Sequence, residues 1–286
     1  MKISSLYGKG RVVFSFEIFP PKKDGAIGTI YDTLDHLSDL KPDYIGVTYG
    51  AGASAANNST VELASAVKNK YGIEAAAHVT CVNCTKDDLL RIMERLKAEN
   101  VDNILALRGD IHPDFPPKTD FRYASEMVAF IKAHGDFGIS GGCYPECHFE
   151  APDLVTDILN LKKKVDAGAE ELVSQLFFDN RVFYDFRDKA RLAGINVPIA
   201  AGIMPVTNKK QIERMVTLCG ASLPPKFTKM IQRYENKPEA LTDAGIAYAA
   251  DQIVDLISNG VEGIHLYTMN NPYVARRISE IIGKLL

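Results

Sequence analysis

Residues 12–20 read VVFSFEIFP, an almost unbroken apolar run closed by proline, and the chain repeats this pattern at a steady interval. The next runs are YIGVTYG (44–50), EAAAHVTC (74–81), NILALRGD (103–110), FGISGGCYP (137–145), ELVSQLFF (171–178), PIAAGIMP (198–205) and GIHLYTM (263–269). Near-continuous apolar runs are what parallel strands covered on both faces require. The segments between them carry a helical period. In KDDLLRIMERLKAEN (86–100), Leu89, Ile92, Met93 and Leu96 form one stripe, with Thr85 as cap and Asp88 in the capping-box position. APDLVTDILNLKKKVDAGAEE (151–171) repeats the pattern, and Gly168 stops it. Eight strand–helix units predict an α/β fold of the (β/α)8 barrel type, one domain over residues 1–286, with extra helical material before the last strand. The competing reading is an open dinucleotide-binding sheet, with Gly50-Ala51-Gly52 as fingerprint. That fingerprint wants an acid at the end of the next strand, which instead closes on His78-Val79-Thr80-Cys81.

Composition narrows the function classes. Apolar residues are 46% and charged residues 24%, and 33 basic against 36 acidic residues leave a net charge of −3. That balance argues against nucleic acid as a partner. No apolar run reaches the ~18 residues of a membrane span, so no membrane partner is expected. MKISSLYGKGR lacks the apolar stretch of a secretion signal, and five cysteines without one fit a reducing, cytoplasmic setting.

In a barrel, chemistry gathers at the C-terminal strand ends. Those ends carry Glu17, Thr48, His78, Arg108 with Asp110, Tyr144 with His148, Gln175 and Tyr267. Glu17, flanked by aromatic and aliphatic residues, is expected to hold its proton unusually well, as a general acid must; the plainer reading pairs it with a buried Arg or Lys. Arg108 can fork onto a phosphate, Gly109 allows close approach, and Asp110 can accept from a ring N–H; a structural ion pair is the alternative. Cys81-x-x-Cys84 and Cys143-x-x-x-Cys147-His148 have metal-like spacing but lie on the third and fifth strands, with the fourth between them, so no metal is expected. No strand ends in lysine, which disfavours Schiff-base chemistry. After the seventh strand, Gln211 and Met215 fall one helical turn apart and could hold a flat ligand; an ordinary amphipathic helix explains them equally well.

FSFEIFPP, VTYGAG, AHVTC, ALRGD, YAS, YPECH, NLKKKVDAGA, QLFFD, GIMPVTN and HLYTMN occur in that order over residues 12–270. Together they resemble the methylenetetrahydrofolate reductases. The resemblance implies an FAD-containing barrel that reduces 5,10-methylenetetrahydrofolate to 5-methyltetrahydrofolate by hydride transfer from reduced flavin. It further implies an oligomer, with NADH or NADPH (or ferredoxin or a partner subunit) as electron source. It makes Glu17 the general acid and Asp110 a carboxylate beside the flavin and the pterin. Thr48, Tyr49, Ala51, His78, Arg108, Gly109, Tyr123, Ala124, Tyr144, His148, Ala151, Asp157, Asn160, Lys163 and Lys164 match positions around FAD. Gln175, Gln211, Met215 and Tyr267 match substrate positions. Met215 stands where relatives often carry an aromatic residue, and Asn271 where an arginine is common. Two other functions compete: a flavin-free, pterin- or corrinoid-binding methyltransferase-type barrel, and the reductase subunit of a larger redox complex.

Overall fold

The computed structural model describes residues 1–21, 27–49, 59–111 and 116–286, without the side chains of Ile27, Gln211, Arg214 and Leu218. Its strands are β1 (Val13–Ile18), β2 (Tyr44–Val47), β3 (Glu74–Thr80), β4 (Asn103–Leu107), β5 (Gly138–Cys143), β6 (Glu171–Ser174), β7 (Ile199–Ile203) and β8 (Gly263–Tyr267). They pair in parallel and in chain order, and β8 closes on β1. Closure settles the (β/α)8 reading and sets aside the open sheet. The expected runs overshoot the strands at their C-terminal ends, because the chain stays apolar as it turns into the loops.

Helices wrap the outside: α1 (Ile27–Ser38), α2 (Ser59–Ser65), α3 (Lys86–Ala98), α4 (Ala124–His134), α5 (Leu154–Asp166) and α6 (Asn180–Leu192), then α7 (Lys209–Cys219), α8 (Pro225–Tyr234), α9 (Pro238–Ser258) and α10 (Pro272–Ile282). Thr85 caps α3 in a reciprocal capping box with Asp88, as its sequence predicts. Gly168 follows α5 with φ +121°, a conformation side chains resist. The extra helices α7–α9 build a second apolar cluster beside the mouth, in which Phe227 stacks on Phe178 at 4.2 Å. α9 comes so close to the chain after β7 that a Cβ on Gly245 would lie 1.8 Å from the Val206 carbonyl oxygen.

Strand alternation divides the side chains into two sets. Phe14, Phe16 and Ile18 point outward into the main core between sheet and helices. The inward residues of the same strand are Val13, Ser15 and Glu17. The register sets Ser15 level with Tyr44 and His265, and Glu17 one step higher, level with Gly46 and Tyr267. A 3-10 turn at Ile3–Leu6 packs Ile3 and Leu6 against Val13, Tyr44 and Ala76, plugging the lower end.

Candidate active site

Glu17 points into the barrel at the mouth, its side chain 21% exposed. Its surroundings differ from the sequence expectation. The aromatic and aliphatic neighbours in FSFEIFP face the other way, because alternate residues of a strand leave opposite faces. What Glu17 meets instead are two imidazoles. Its Oε2 lies 3.7 Å from Nε2 of His265 and 3.9 Å from Nε2 of His78. Neither nitrogen has a hydrogen-bond partner. Burial pushes the His78 pKa down to about 4, so that ring is uncharged at neutral pH. Gly46 makes room for the pair: a Cβ there would lie 2.9 Å from Nε2 of His78. The sequence reading found Glu17 and His78 but passed over His265, whose signal was its place two residues before Tyr267 on the same strand face.

A second group lies on the β4–β5 side. Arg108 follows β4 and pairs with Glu150 at 2.8 Å, while its Nε is buried without a partner. Gly109 has φ +83°, and a Cβ there would lie 2.7 Å from Thr80, so the turn presenting Arg108 and Asp110 requires glycine. Tyr144 meets His148 edge to face at 4.7 Å, and the His148 backbone N–H donates to Asp157 of α5 at 2.9 Å. Burial lowers the pKa of His148, and nearby Arg108 adds to that. Ala151 closes this turn by donating to the His148 carbonyl at 2.8 Å. Lys164 is turned inward, donating to the Gly142 carbonyl at 2.6 Å, and its burial lowers its pKa. Asn160 and Lys163 stay exposed on the outer part of the same helix, bonded to each other at 3.0 Å. Tyr123 is the exposed residue before α4, and Ala124 its buried first residue. Thr48 follows β2, its carbonyl accepting from the Thr60 hydroxyl at 3.0 Å. The buried Tyr49 hydroxyl has no partner, and desolvation raises its pKa to about 12. Ala51 lies outside the described residues.

On the opposite side, Tyr267 donates to the Ser174 carbonyl at 2.8 Å, and the Gln175 amide oxygen accepts from the Leu176 N–H at 2.8 Å. Met215 joins the cluster of α7–α9, and Gln211 lies in α7 with its side chain outside the description. A cavity of about 240 Å³ opens here, lined by residues that include Phe19, Pro205, Tyr267, Met269 and Asn271. Asn271 serves as a cap, accepting from the Val274 N–H at 3.3 Å at the start of α10. The thiols of Cys81 and Cys84 donate to the carbonyls of Arg108 and Thr85 at 3.3 Å each, and Cys143 is buried in β5.

The mouth thus gathers an acid, two imidazoles and an arginine beside a glycine turn at the C-terminal strand ends, where a (β/α)8 barrel carries its chemistry. The comparisons make this specific. The family model "Methylenetetrahydrofolate reductase" matches residues 2–283, and the chain belongs to that family. The 5,10-methylenetetrahydrofolate reductase of Pectobacterium carotovorum subsp. carotovorum is 37% identical over 275 residues, covering 96% of this chain and 91% of the relative. That of Escherichia coli (strain K12) is also 37% identical, covering 96% and 92%. The Arabidopsis thaliana "Methylenetetrahydrofolate reductase (NADH) 1" is 36% identical, and the match spans 48% of that longer protein. Among solved structures, a Clostridium thermocellum protein described as binding two copies of 5-methyl-5,6,7,8-tetrahydrofolic acid superposes with TM-score 0.70 at 15% identity, covering 96% of each chain. At that identity the likeness speaks to the fold.

Proposed function

We propose that the chain is an FAD-dependent methylenetetrahydrofolate reductase, one catalytic domain in which Glu17 is the general acid. Family membership supports the substrate. The observation that carries the mechanistic reading is the placement of Glu17 at the mouth against two partnerless imidazole nitrogens.

The residues present fit a flavin. The Tyr49 hydroxyl and Arg108 Nε are buried polar atoms with unmet hydrogen-bonding capacity, and groups of that kind await a ligand. Arg108 is suited to a phosphate and would exchange its exposed partner Glu150 for it. Thr48, His78, Gly109, Tyr123, Ala124, Tyr144, His148, Ala151, Asp157, Asn160, Lys163 and Lys164 complete the proposed cofactor shell, with Ala51. Asp110 would place a negative charge near the flavin ring. When bound, the flavin supplies the hydride.

The chain's own part is proton handling and positioning. Glu17 gives a proton to the substrate nitrogen that leaves when the methylene bridge opens. Gln175, Gln211, Met215 and Tyr267 would hold the pterin and its tail, beside the cavity at Phe19 and Asn271. The electrons come from NADH or NADPH, or from a partner protein.

The test is an anaerobic separation of the two half-reactions. Glu17→Gln is expected to slow folate reduction by about 10²–10⁴-fold, the usual weight of general acid catalysis. Bleaching of the flavin by its donor should keep its rate. Equal losses in both halves would remove Glu17 from the acid role. A protein with no 450 nm absorbance after FAD loading would favour the flavin-free barrel.

A further inference from the structure

Glu17 occupies the last inward-facing position of β1, next to the strand's final residue Ile18. The chain then runs Phe19-Pro20-Pro21, and proline has no N–H to give to a ladder. Strand ends of this kind are where local opening begins, and a displaced backbone would carry the Glu17 carboxyl with it. The main-chain ladder with β8 stops at the pairing of Glu17 with Tyr267. Beyond that step the chain leaving β8 keeps its hold through side chains. The Thr268 hydroxyl donates to the Glu17 carbonyl at 2.6 Å. The Asn270 amide takes both backbone groups of Phe19: its Oδ1 accepts from the Phe19 N–H at 3.1 Å, and its Nδ2 donates to the Phe19 carbonyl at 2.9 Å. On the other edge, the Thr48 N–H donates to the Ile18 carbonyl at 2.9 Å. We propose that Asn270 and Thr268 are positioning residues for Glu17: their side chains prolong the pairing of β8 with β1 past the end of the ladder and so fix where the carboxyl stands at the mouth. The proposal rests on the general-acid reading of Glu17.

The backbone argues that this clasp is more than a turn. Met269 and Asn270 are consecutive residues with φ of +52° and +54°. Side chains resist that region, and asparagine tolerates it better than methionine does. Such strain persists where the surroundings over-determine it, and it clusters at functional sites. Thr268 ties the strained pair to Glu17. It is 1% exposed, and its hydroxyl oxygen accepts from the Asn270 N–H at 3.2 Å while its proton goes to the Glu17 carbonyl. The turn is closed by other groups: the Asn271 N–H donates to the Thr268 carbonyl at 2.9 Å, and the Asn271 side chain caps α10. The Asn270 amide is left for a segment 251 residues earlier in the chain.

The clasp joins two parts of the site. Phe19 and Met269 lie in the wall of the mouth cavity, and the Glu17 carboxyl stands 3.7 and 3.9 Å from the two imidazole nitrogens. Proton transfer needs the acid within hydrogen-bond reach of its acceptor, and a ~1 Å misplacement can cost about 10²-fold in rate. Loosening the Glu17–Phe19 backbone should therefore slow the step that needs the acid and spare the step that does not.

Three substitutions separate this from a merely structural role. Asn270→Gly adopts the left-handed φ without strain and removes both bonds to Phe19. Thr268→Val keeps the shape and removes the hydroxyl, whereas Thr268→Ser keeps the hydroxyl. Stopped-flow on FAD-loaded, folded protein at saturating folate should show the folate half-reaction slowed by about 10–100-fold in Asn270→Gly and Thr268→Val. Thr268→Ser should stay close to native. Flavin reduction at saturating donor should keep its rate in all three. In a Glu17→Gln background, Asn270→Gly should cost nothing more, because residues that act as a unit do not add. Native folate rates in Asn270→Gly and Thr268→Val overturn the proposal, as do equal losses in both half-reactions or a full further loss in the Glu17→Gln background. Should Asn270→Gly fail to fold, the Thr268 pair decides alone. A native folate rate in Glu17→Gln removes the acid reading, and the proposal with it. If the native protein reduces no folate, the proposed function falls, and crystal structures decide the clasp: Asn270→Gly should shift Phe19 and Glu17, and unmoved residues overturn the proposal.

Discussion

His78 should make the folded protein sensitive to mild acid. The ring is 3% exposed and burial drives its pKa from 6.5 to about 4. Below pH 6.5 the unfolded chain takes up a proton at this site, and the folded chain refuses it until about pH 4. Stability at this site is therefore fully present above pH 6.5 and is lost progressively as the pH falls toward 4. At ~1.36 kcal/mol for each pH unit, the loss comes to about 3 kcal/mol. That is a large part of a typical ~5–15 kcal/mol stability. Carboxylates titrate in the same window, so the useful quantity is a difference of differences. The drop in unfolding free energy from pH 7 to 4 is measured for the native protein and for His78→Asn. Urea titrations followed by far-UV circular dichroism suit a chain that contains no tryptophan. The native drop should exceed that of the variant by about 3 kcal/mol. Equal drops would mean that His78 is charged within the fold, and the picture of a neutral ring beside Glu17 would be wrong.

Two further outcomes follow from the same geometry. Gly46→Ala places a methyl group 2.9 Å from Nε2 of His78, so it should destabilise the fold by about 1–3 kcal/mol and slow the folate half-reaction as the ring is pushed from Glu17; denaturation midpoints and stopped-flow rates check both. Arg108→Ala should weaken FAD binding by roughly 10–100-fold, the weight of one charged hydrogen bond, measured by flavin fluorescence titration; unchanged affinity would remove Arg108 from the cofactor shell.

The barrel was legible because its strands are covered on both faces and so stand out as apolar runs at regular intervals. Strand ends were less so, since the run continues after β7 through Met204 and Val206, which are buried in the cluster beside the mouth. Glu17 was conspicuous as a lone carboxylate in an apolar run, but its environment was misread, because sequence neighbours in a strand are spatial opposites. Tyr44 and Glu171 escaped notice altogether. Each opens an ordinary strand, and Glu171 follows Glu170, which bonds Lys132 at 2.6 Å near the surface. Only barrel closure brings Glu171 to Tyr44, 127 residues earlier in the chain. Lys163 and Lys164 carried the same expectation, and only packing sends Lys164 inward to Gly142 while Lys163 stays exposed.

The distribution of unmet hydrogen bonds separates the two ends of the barrel. Among the described residues, the buried side-chain atoms without a partner are the Tyr49 hydroxyl, Nε2 of His78, Nε of Arg108 and Nε2 of His265. Tyr49 and Arg108 lie just beyond β2 and β4, His78 in the upper half of β3, and His265 at the middle of β8. The lower interior is as polar and more deeply buried, yet Glu171, Tyr44 and Ser140 are bonded throughout. A buried group left unpaired costs about 1–3 kcal/mol, so a fold selected for stability alone would have satisfied the mouth as it satisfied the base. The deficit gathers around Glu17 and the loops above it, and the two bare imidazole nitrogens flank the Glu17 carboxylate.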